Sequence, residues 1–203
     1  MQIFPNQLYH IYNQGNNRET IFKDREDYIN FLRKYRELVY PIADTICYCL
    51  MPNHFHFLIN STTTSSEKFI LGNIESVRLG NAFRVLCSSY ANDFNKKYSR
   101  TGSLFRQKTQ AKNLETRSDG SQNDTNYPLI CFHYIHQNPI TAGLCTKMED
   151  WEFSSFQDFI NLRSGTLINK GLAFELIEIP KENLYNESYK IISEEKFQKL
   201  FAV

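Results

Sequence analysis

The sequence predicts an α+β fold, because short runs of β-forming residues alternate with segments whose apolar residues recur at helical spacing. The order is strand, helix, strand, strand, helix, strand, which is the split βαβ pattern of a ferredoxin-like antiparallel sheet with helices. An additional helix follows and carries Tyr134. The 203 residues suit one domain with one sizeable core. We therefore predict a main domain over residues 1–160 and an accessory tail of the same domain over residues 161–203, which has an acidic lean.

The first half of the chain supplies three predicted strands and one helix. Asp24 is a good N-cap for a helix whose apolar side chains recur at helical spacing until Pro41. Pro52 and Asn53 form a two-residue connection between the second and third strands, which predicts that Cys49 faces His56 across the hairpin. The three strands are predicted at residues 8–13, 45–51 and 54–60.

The second half is predicted to contain the remaining helices and the fourth strand. Residues 67–79 are apolar enough for a short helix, although Gly72 and Gly80 disfavour one. Pro139 is expected to stop the helix that carries Tyr134. The remaining predictions are a helix over residues 81–98, a strand over about 103–111, a polar connection over 115–126 and a helix over 127–137.

Two histidines and one tyrosine suggest chemistry. Side chains alternate along a strand, so His54 and His56 point to one face while Phe55 points to the other. Two imidazoles on one face can bind one metal ion. Tyr134 and Asn138 are four residues apart and therefore share a helix face. A metal that polarises a phosphate, with a phenol placed to attack it, is the equipment of an enzyme that cuts DNA through a tyrosine.

Several short motifs occur in a specific order along residues 8–160. Together they resemble the HUH endonucleases (His, hydrophobic residue, His), and within them the single-tyrosine transposases of bacterial insertion sequences. The similarity is greatest to the REP-associated tyrosine transposases of that group. The motifs that carry the resemblance are residues 9–18, 51–56, 94–98, 102–105, 134–139, 150–151 and 154–155.

The resemblance implies a DNA transposase, which is a site-specific endonuclease and strand transferase acting on single-stranded or hairpin DNA. It implies that Tyr134 is the nucleophile and forms a 5′-phosphotyrosine intermediate. It also implies that His54, His56 and Asn138 bind a divalent metal, Mg²⁺ or Mn²⁺, although imidazole by itself favours other metals such as zinc. Gln137 is the alternative third ligand. Relatives of this kind include both monomers and homodimers, and either state is compatible with the sequence.

Other residues are predicted to assist. His10 and His136 are candidates for a supporting role behind the metal ligands, and packing is an equally good interpretation of His10 and an open alternative for His136. The candidates for contact with DNA are Asn16, Asn17, Arg18, Arg106 and Lys108.

The charge distribution also indicates a polyanionic partner. The net charge is only +1, but residues 78–112 contain eight Lys or Arg side chains and a single acid, Asp93. Aromatic residues are interleaved with them, as in proteins that bind single strands. The alternative, a solvated helix face with an ordinary core stripe, stays open.

Three alternatives remain at this stage. One is a metal phosphohydrolase that uses water, and another is a domesticated nucleic-acid-binding module. A structural zinc site is a rival for the histidines, because Cys47 and Cys49 are expected on the same sheet face. The five cysteines include no CxxC pair, and the sequence has neither a long apolar stretch nor a signal peptide. We therefore expect a cytoplasmic, nucleoid-associated protein without disulfides that does not enter membranes.

Overall fold

A computed structural model describes residues 2–115, 127–179 and 181–190. Its centre is a four-stranded sheet in the spatial order β2-β3-β1-β6, in which all neighbouring strands are antiparallel. This order is the one that the split βαβ pattern predicts, so the predicted fold class is confirmed. The strands are β1 (Leu8–Gln14), β2 (Ala43–Met51), β3 (His54–Ser61) and β6 (Gln110–Asn113).

Helices cover both faces of the sheet and create two hydrophobic cores. Helices α1 (Arg25–Leu38) and α3 (Arg78–Lys97) pack on one face, where the buried residues include Phe31, Phe55 and Phe83. Helix α4 (Tyr127–Thr141) packs on the other face, against β2 and β3. The sheet is thus buried on both sides, and its α4 face carries the side chains of the candidate site.

The hairpin between β2 and β3 has the predicted register. Pro52 and Asn53 connect the strands, and Cys49 lies opposite His56. An irregularity between Thr45 and Cys47 shifts the pairing further along, so that Cys47 lies opposite Leu58. Helix α1 also begins as predicted, with a capping box in which Asp24 accepts from the backbone N–H of Asp27.

The short helix predicted over residues 67–79 is wrong. Strands β4 (Lys68–Leu71) and β5 (Ile74–Val77) form an antiparallel hairpin there. Gly72 lies in the turn with φ +63°, a backbone conformation that glycine adopts without a side-chain clash. Helix α3 then starts at Arg78, three residues before the predicted start, and includes Gly80.

Two further boundaries differ from prediction. The fourth strand of the sheet is β6 and is shorter than the predicted 103–111, because residues 103–109 are irregular apart from a bridge between Phe105 and Gly15. Pro139 does not stop α4, which continues to Thr141. A proline in the last turn removes only one helical hydrogen bond, and the amide of Ala142 still donates to the carbonyl of Asn138.

The C-terminal residues fold back onto the second core. They form the short helices α5 (Phe156–Phe159), α6 (Lys170–Leu176) and α7 (Leu184–Ser188), with Ala173, Ile177 and Leu184 buried. The boundary at residue 160 stays a prediction, and most of the predicted polar connection over 115–126 lies outside the described residues. Within the described ranges, no helix is long and apolar enough to cross a membrane.

Candidate active site

His54 and His56 point to the α4 face of the sheet, as strand alternation predicts. Their ring centroids are 4.9 Å apart. Phe55 is fully buried on the opposite face, among the aromatic side chains of the first core. The first three residues of β3 therefore place two imidazoles side by side on the α4 face of the sheet.

His10 on β1 holds the ring of His56. Its Nε2 atom lies 2.8 Å from His56 Nδ1, and the two buried rings stack with centroids 5.0 Å apart. Burial lowers the pKa of His56 well below its usual range and, together with the charge of Lys112, lowers the pKa of His10 to about 3. Both rings are thus neutral at pH 7, so one nitrogen donates and the other accepts. The remaining nitrogen of His56, Nε2, is buried and has no hydrogen-bond partner among the described residues.

His54 is oriented by its neighbour in the turn. Its Nδ1 lies 2.6 Å from the side-chain oxygen of Asn53, which can only accept, so Nδ1 carries the proton and donates. The lone pair of the neutral ring is consequently on Nε2. Burial lowers the pKa of His54, and a hydrogen bond with the Asn138 side chain opposes that shift.

Helix α4 places Tyr134 beside the histidines of its own chain. The Tyr134 ring centroid lies 5.4 Å from that of His56 and 6.3 Å from that of His10, edge-on in both cases. Burial raises the pKa of Tyr134 to about 12, and a hydrogen bond with Asn138 acts in the opposite direction. The phenol is therefore protonated at neutral pH and needs assistance to act as a nucleophile.

Asn138 connects the tyrosine with the histidines. It stays within the helix, so the four-residue offset keeps it on the face of Tyr134. Its Nδ2 donates to the Tyr134 carbonyl oxygen at 2.9 Å, which leaves the side-chain oxygen free to face His54. The structure thus brings together His54, His56, Tyr134 and Asn138.

The side chain of Gln137 points away from the histidines. Gln137 donates to the backbone carbonyl oxygens of Ser188 at 2.7 Å and Lys190 at 2.8 Å, so its amide faces the C-terminal segment. The side chain of Gln137 is thus engaged with the C-terminal segment, and the identity of the third ligand stays a prediction.

His136 has a packing role. Its Nε2 lies 2.9 Å from the Ser155 hydroxyl, and its ring packs edge-on against Phe132 with centroids 4.4 Å apart. Ser155 in turn hydrogen-bonds the backbone of Tyr48 on β2. His136 therefore links α4 to the sheet, as the packing alternative predicts, since two residues after Tyr134 a side chain points to a different side of the helix. A role for His136 behind the metal ligands stays a prediction.

Tyr12 is a residue of the site that sequence reasoning missed. It lies opposite His56 in the pairing of β1 with β3, and its ring stacks on His10 at 4.8 Å between centroids. The Tyr12 ring centroid is 5.9 Å from that of His56. The available signal was its spacing of two from His10, which puts both side chains on one strand face.

The rival zinc site finds no support. Cys47 and Cys49 are buried in the second core, and burial raises the pKa of both thiols. Across residues 2–115, 127–179 and 181–190, no three His, Cys, Asp or Glu side chains are grouped closely enough to hold a metal ion.

The predicted DNA-contacting residues lie on two connected loops. Asn16–Arg18 form a single helical turn in which Asn17 and Arg18 are exposed, and Asn16 donates to the carbonyl oxygen of Ser103 at 3.2 Å. Arg106 and Lys108 are also exposed and line a groove of about 1340 Å³. Helix α3 and the β4–β5 hairpin form other parts of the groove lining.

Comparison with known proteins shows a similarity to solved structures. No protein-family model matches the sequence, and no curated protein matches it. A solved structure of a REP-associated tyrosine transposase bound to a REP hairpin superimposes with a TM-score of 0.55, covering 79% of this chain and 83% of that chain. The sequences are 12% identical, so the likeness shows a shared fold. It is the fold of the group that the sequence motifs resemble most.

Proposed function

We propose that this protein is a transposase, a metal-dependent DNA endonuclease and strand transferase that cuts single-stranded or hairpin DNA through Tyr134. The observation that carries the proposal is the position of the Tyr134 ring beside His56, with Asn138 one helical turn further along and hydrogen-bonded to the carbonyl oxygen of Tyr134. The shared fold with a REP-associated tyrosine transposase supports the same reaction class.

The donor set fits a divalent metal. His54 would offer its Nε2 lone pair because its Nδ1–H donates to Asn53, and His56 would do the same in the tautomer whose Nδ1–H donates to Nε2 of His10. The buried Nε2 of His56 has no hydrogen-bond partner among the described residues, and a bound cation would give it one. Asn138 would add an amide oxygen, a ligand type that suits Mg²⁺ or Mn²⁺. A divalent metal held by these residues would supply Lewis-acid polarisation of the scissile phosphate.

Tyr134 performs the substitution at phosphorus. Its hydroxyl oxygen attacks, the bond to the 3′ oxygen breaks, and the departing oxygen leaves as a 3′-hydroxyl. The 5′ phosphate stays on Tyr134 as a diester, so the released hydroxyl of the same or another strand can reverse the reaction without ATP. The raised pKa means that the phenol must lose its proton during attack, and the Asn138 hydrogen bond favours that loss.

Each chain would hold a complete site. Tyr134 lies against the histidines of its own chain, so a monomer suffices for the chemistry and a homodimer is compatible with it. Arg18 and its neighbours Asn16 and Asn17, with Arg106 and Lys108, would hold the DNA backbone.

The test is metal-dependent cleavage in histidine variants. His54→Ala and His56→Ala should each lose cleavage of a single-stranded hairpin with Mg²⁺ or Mn²⁺ while the protein stays folded, with a lower thermal unfolding midpoint in His56→Ala because buried His10 loses its partner. His133→Gln is the matched control, because it removes an imidazole from α4 that is not among the proposed ligands. Cleavage that persists in both alanine variants, or that needs no metal, would refute the proposed site.

A further inference from the structure

The groove lined by Arg106 and Lys108 lies away from the histidines. Asn13, which follows Tyr12 on β1, lines the groove, and side chains of successive strand residues point to opposite faces. Arg84 and Asn95 of helix α3 line it as well. The groove is therefore on the α3 side of the sheet, whereas the candidate active site is on the α4 side.

Six of the eight cations in residues 78–112 fall into two sets of three. One set is neutralised by acids: Arg78 pairs with Glu67, Lys97 with Asp24, and Arg100 with Glu19. In the other set, Arg84, Arg106 and Lys108 have no ion pair with any carboxylate of the described chain, and all three line the groove. Among the described residues that line the groove, the only carboxylate is Glu75, which pairs with Lys68 at 3.0 Å. The groove thus concentrates uncompensated positive charge.

The groove also reaches the edge of the sheet beside the active site. Its lining includes Gln110 of β6, the edge strand. Gln110 is the pairing partner of Tyr12, and Tyr12 is the pairing partner of His56. The groove end and the histidines are therefore two strand spacings apart, about 10 Å. A single DNA strand that left the active site across β6 would therefore enter the groove directly.

We propose that this groove binds the phosphate backbone of the single DNA strand that continues from the scissile phosphate, with Arg84, Arg106 and Lys108 as the backbone-contacting residues. The inference rests on the proposed function, since it extends the path of the same substrate. It adds Arg84 on α3 to the proposed DNA-contacting residues. It also places the DNA beyond the scissile phosphate on the α3 side of the sheet.

The experiment measures binding without cleavage. Fluorescence anisotropy with metal removed by chelator gives the affinity for single-stranded oligothymidine of about 5 and about 20 nucleotides over a range of salt concentrations. Neutralising Arg84, Arg106 and Lys108 to Gln together should weaken binding of the longer strand and lower the slope of log affinity against log salt by about 2, at about 0.7 per phosphate contact. The affinity for the oligothymidine of about 5 nucleotides should fall less, because it is too short to reach from the active site through the groove.

Two variants of helix α3 make the comparison specific. Lys96→Gln removes an exposed charge from the same helix outside the groove lining, and should leave the slope unchanged. Arg84→Lys keeps the charge, and should keep the slope that Arg84→Gln lowers by about 0.7. The inference would be overturned if the triple variant and Lys96→Gln gave equal slopes of log affinity against log salt. It would also be overturned if the triple variant lost as much affinity for duplex DNA as for single-stranded DNA of the same length. Failure of the proposed function is seen separately, as the absence of a covalent adduct in the unmodified protein with metal.

Discussion

At the scale of single residues, adjacent amides on α4 have different surroundings. Asn138 interacts with Tyr134 and His54, whereas Gln137 donates two hydrogen bonds to carbonyl oxygens of the C-terminal segment. Sequence alone could not separate them, because the proline that follows was expected to turn Asn138 away from the helix. Variants of these two residues can therefore distinguish a proposed metal ligand, Asn138, from a residue that only stabilises the fold, Gln137.

Asn138→Leu should abolish metal-dependent cleavage with little loss of stability, because it removes a proposed ligand oxygen and keeps the side-chain volume. Gln137→Leu should keep cleavage but lower the free energy of unfolding by about 1–2 kcal/mol, since each lost hydrogen bond contributes about 1 kcal/mol. Cleavage assays and chemical denaturation of both variants give the answer. The opposite pattern, with cleavage lost only in Gln137→Leu, would remove Asn138 from the site.

At the scale of secondary-structure elements, predictions succeeded where local chemistry decides the structure. The Pro52-Asn53 turn sets the β2–β3 register, and with it the common face of His54 and His56. The four-residue offset placed Tyr134 and Asn138 together once both lay on one helix. Asp24 determined the start of α1 in the same way, through its own capping hydrogen bond.

The failures occurred where tertiary contacts decide. The β4–β5 hairpin is short and half exposed, so its residues lack the clean alternation that marks a strand. Residues 103–109 pair with the first loop through Phe105 and Gly15, a contact between distant segments that no local pattern encodes. Tyr12 is an intermediate case, because its spacing of two from His10 gives a sequence signal, but only the pairing of β1 with β3 places it opposite His56.

At the scale of the whole molecule, buried neutral histidines make stability depend on pH. Burial lowers the pKa of His133 to about 4 and, with the charge of Lys112, that of His10 to about 3, from an ordinary value of 6.5. The pKa values of His54, His56 and His136 are lowered by burial as well. In the unfolded chain these side chains take up protons below pH 6.5, which the folded protein does not, so acid favours unfolding.

The free energy of unfolding should therefore be fully present above pH 6.5 and fall as the pH is lowered toward 4. Each histidine that is protonated only in the unfolded chain contributes about 1.4 kcal/mol per pH unit in this window. Urea unfolding at about pH 7.5 and about pH 5 measures the difference, and His136→Phe should reduce the slope by removing one such group. A free energy that is unchanged across the window would show that these rings are solvated.

The central claim is that Tyr134 becomes covalently linked to DNA. The most direct test incubates the protein with a single-stranded hairpin oligonucleotide and Mg²⁺ or Mn²⁺, followed by a denaturing gel and mass spectrometry of the linked peptide. The unmodified protein should give a DNA adduct on the peptide that contains Tyr134, and Tyr134→Phe should bind the DNA with similar affinity but form none. Tyr12→Phe, which removes the other phenol beside His56, should still form the adduct. An adduct that persists in Tyr134→Phe, or cleavage without any adduct in the unmodified protein, would contradict the account.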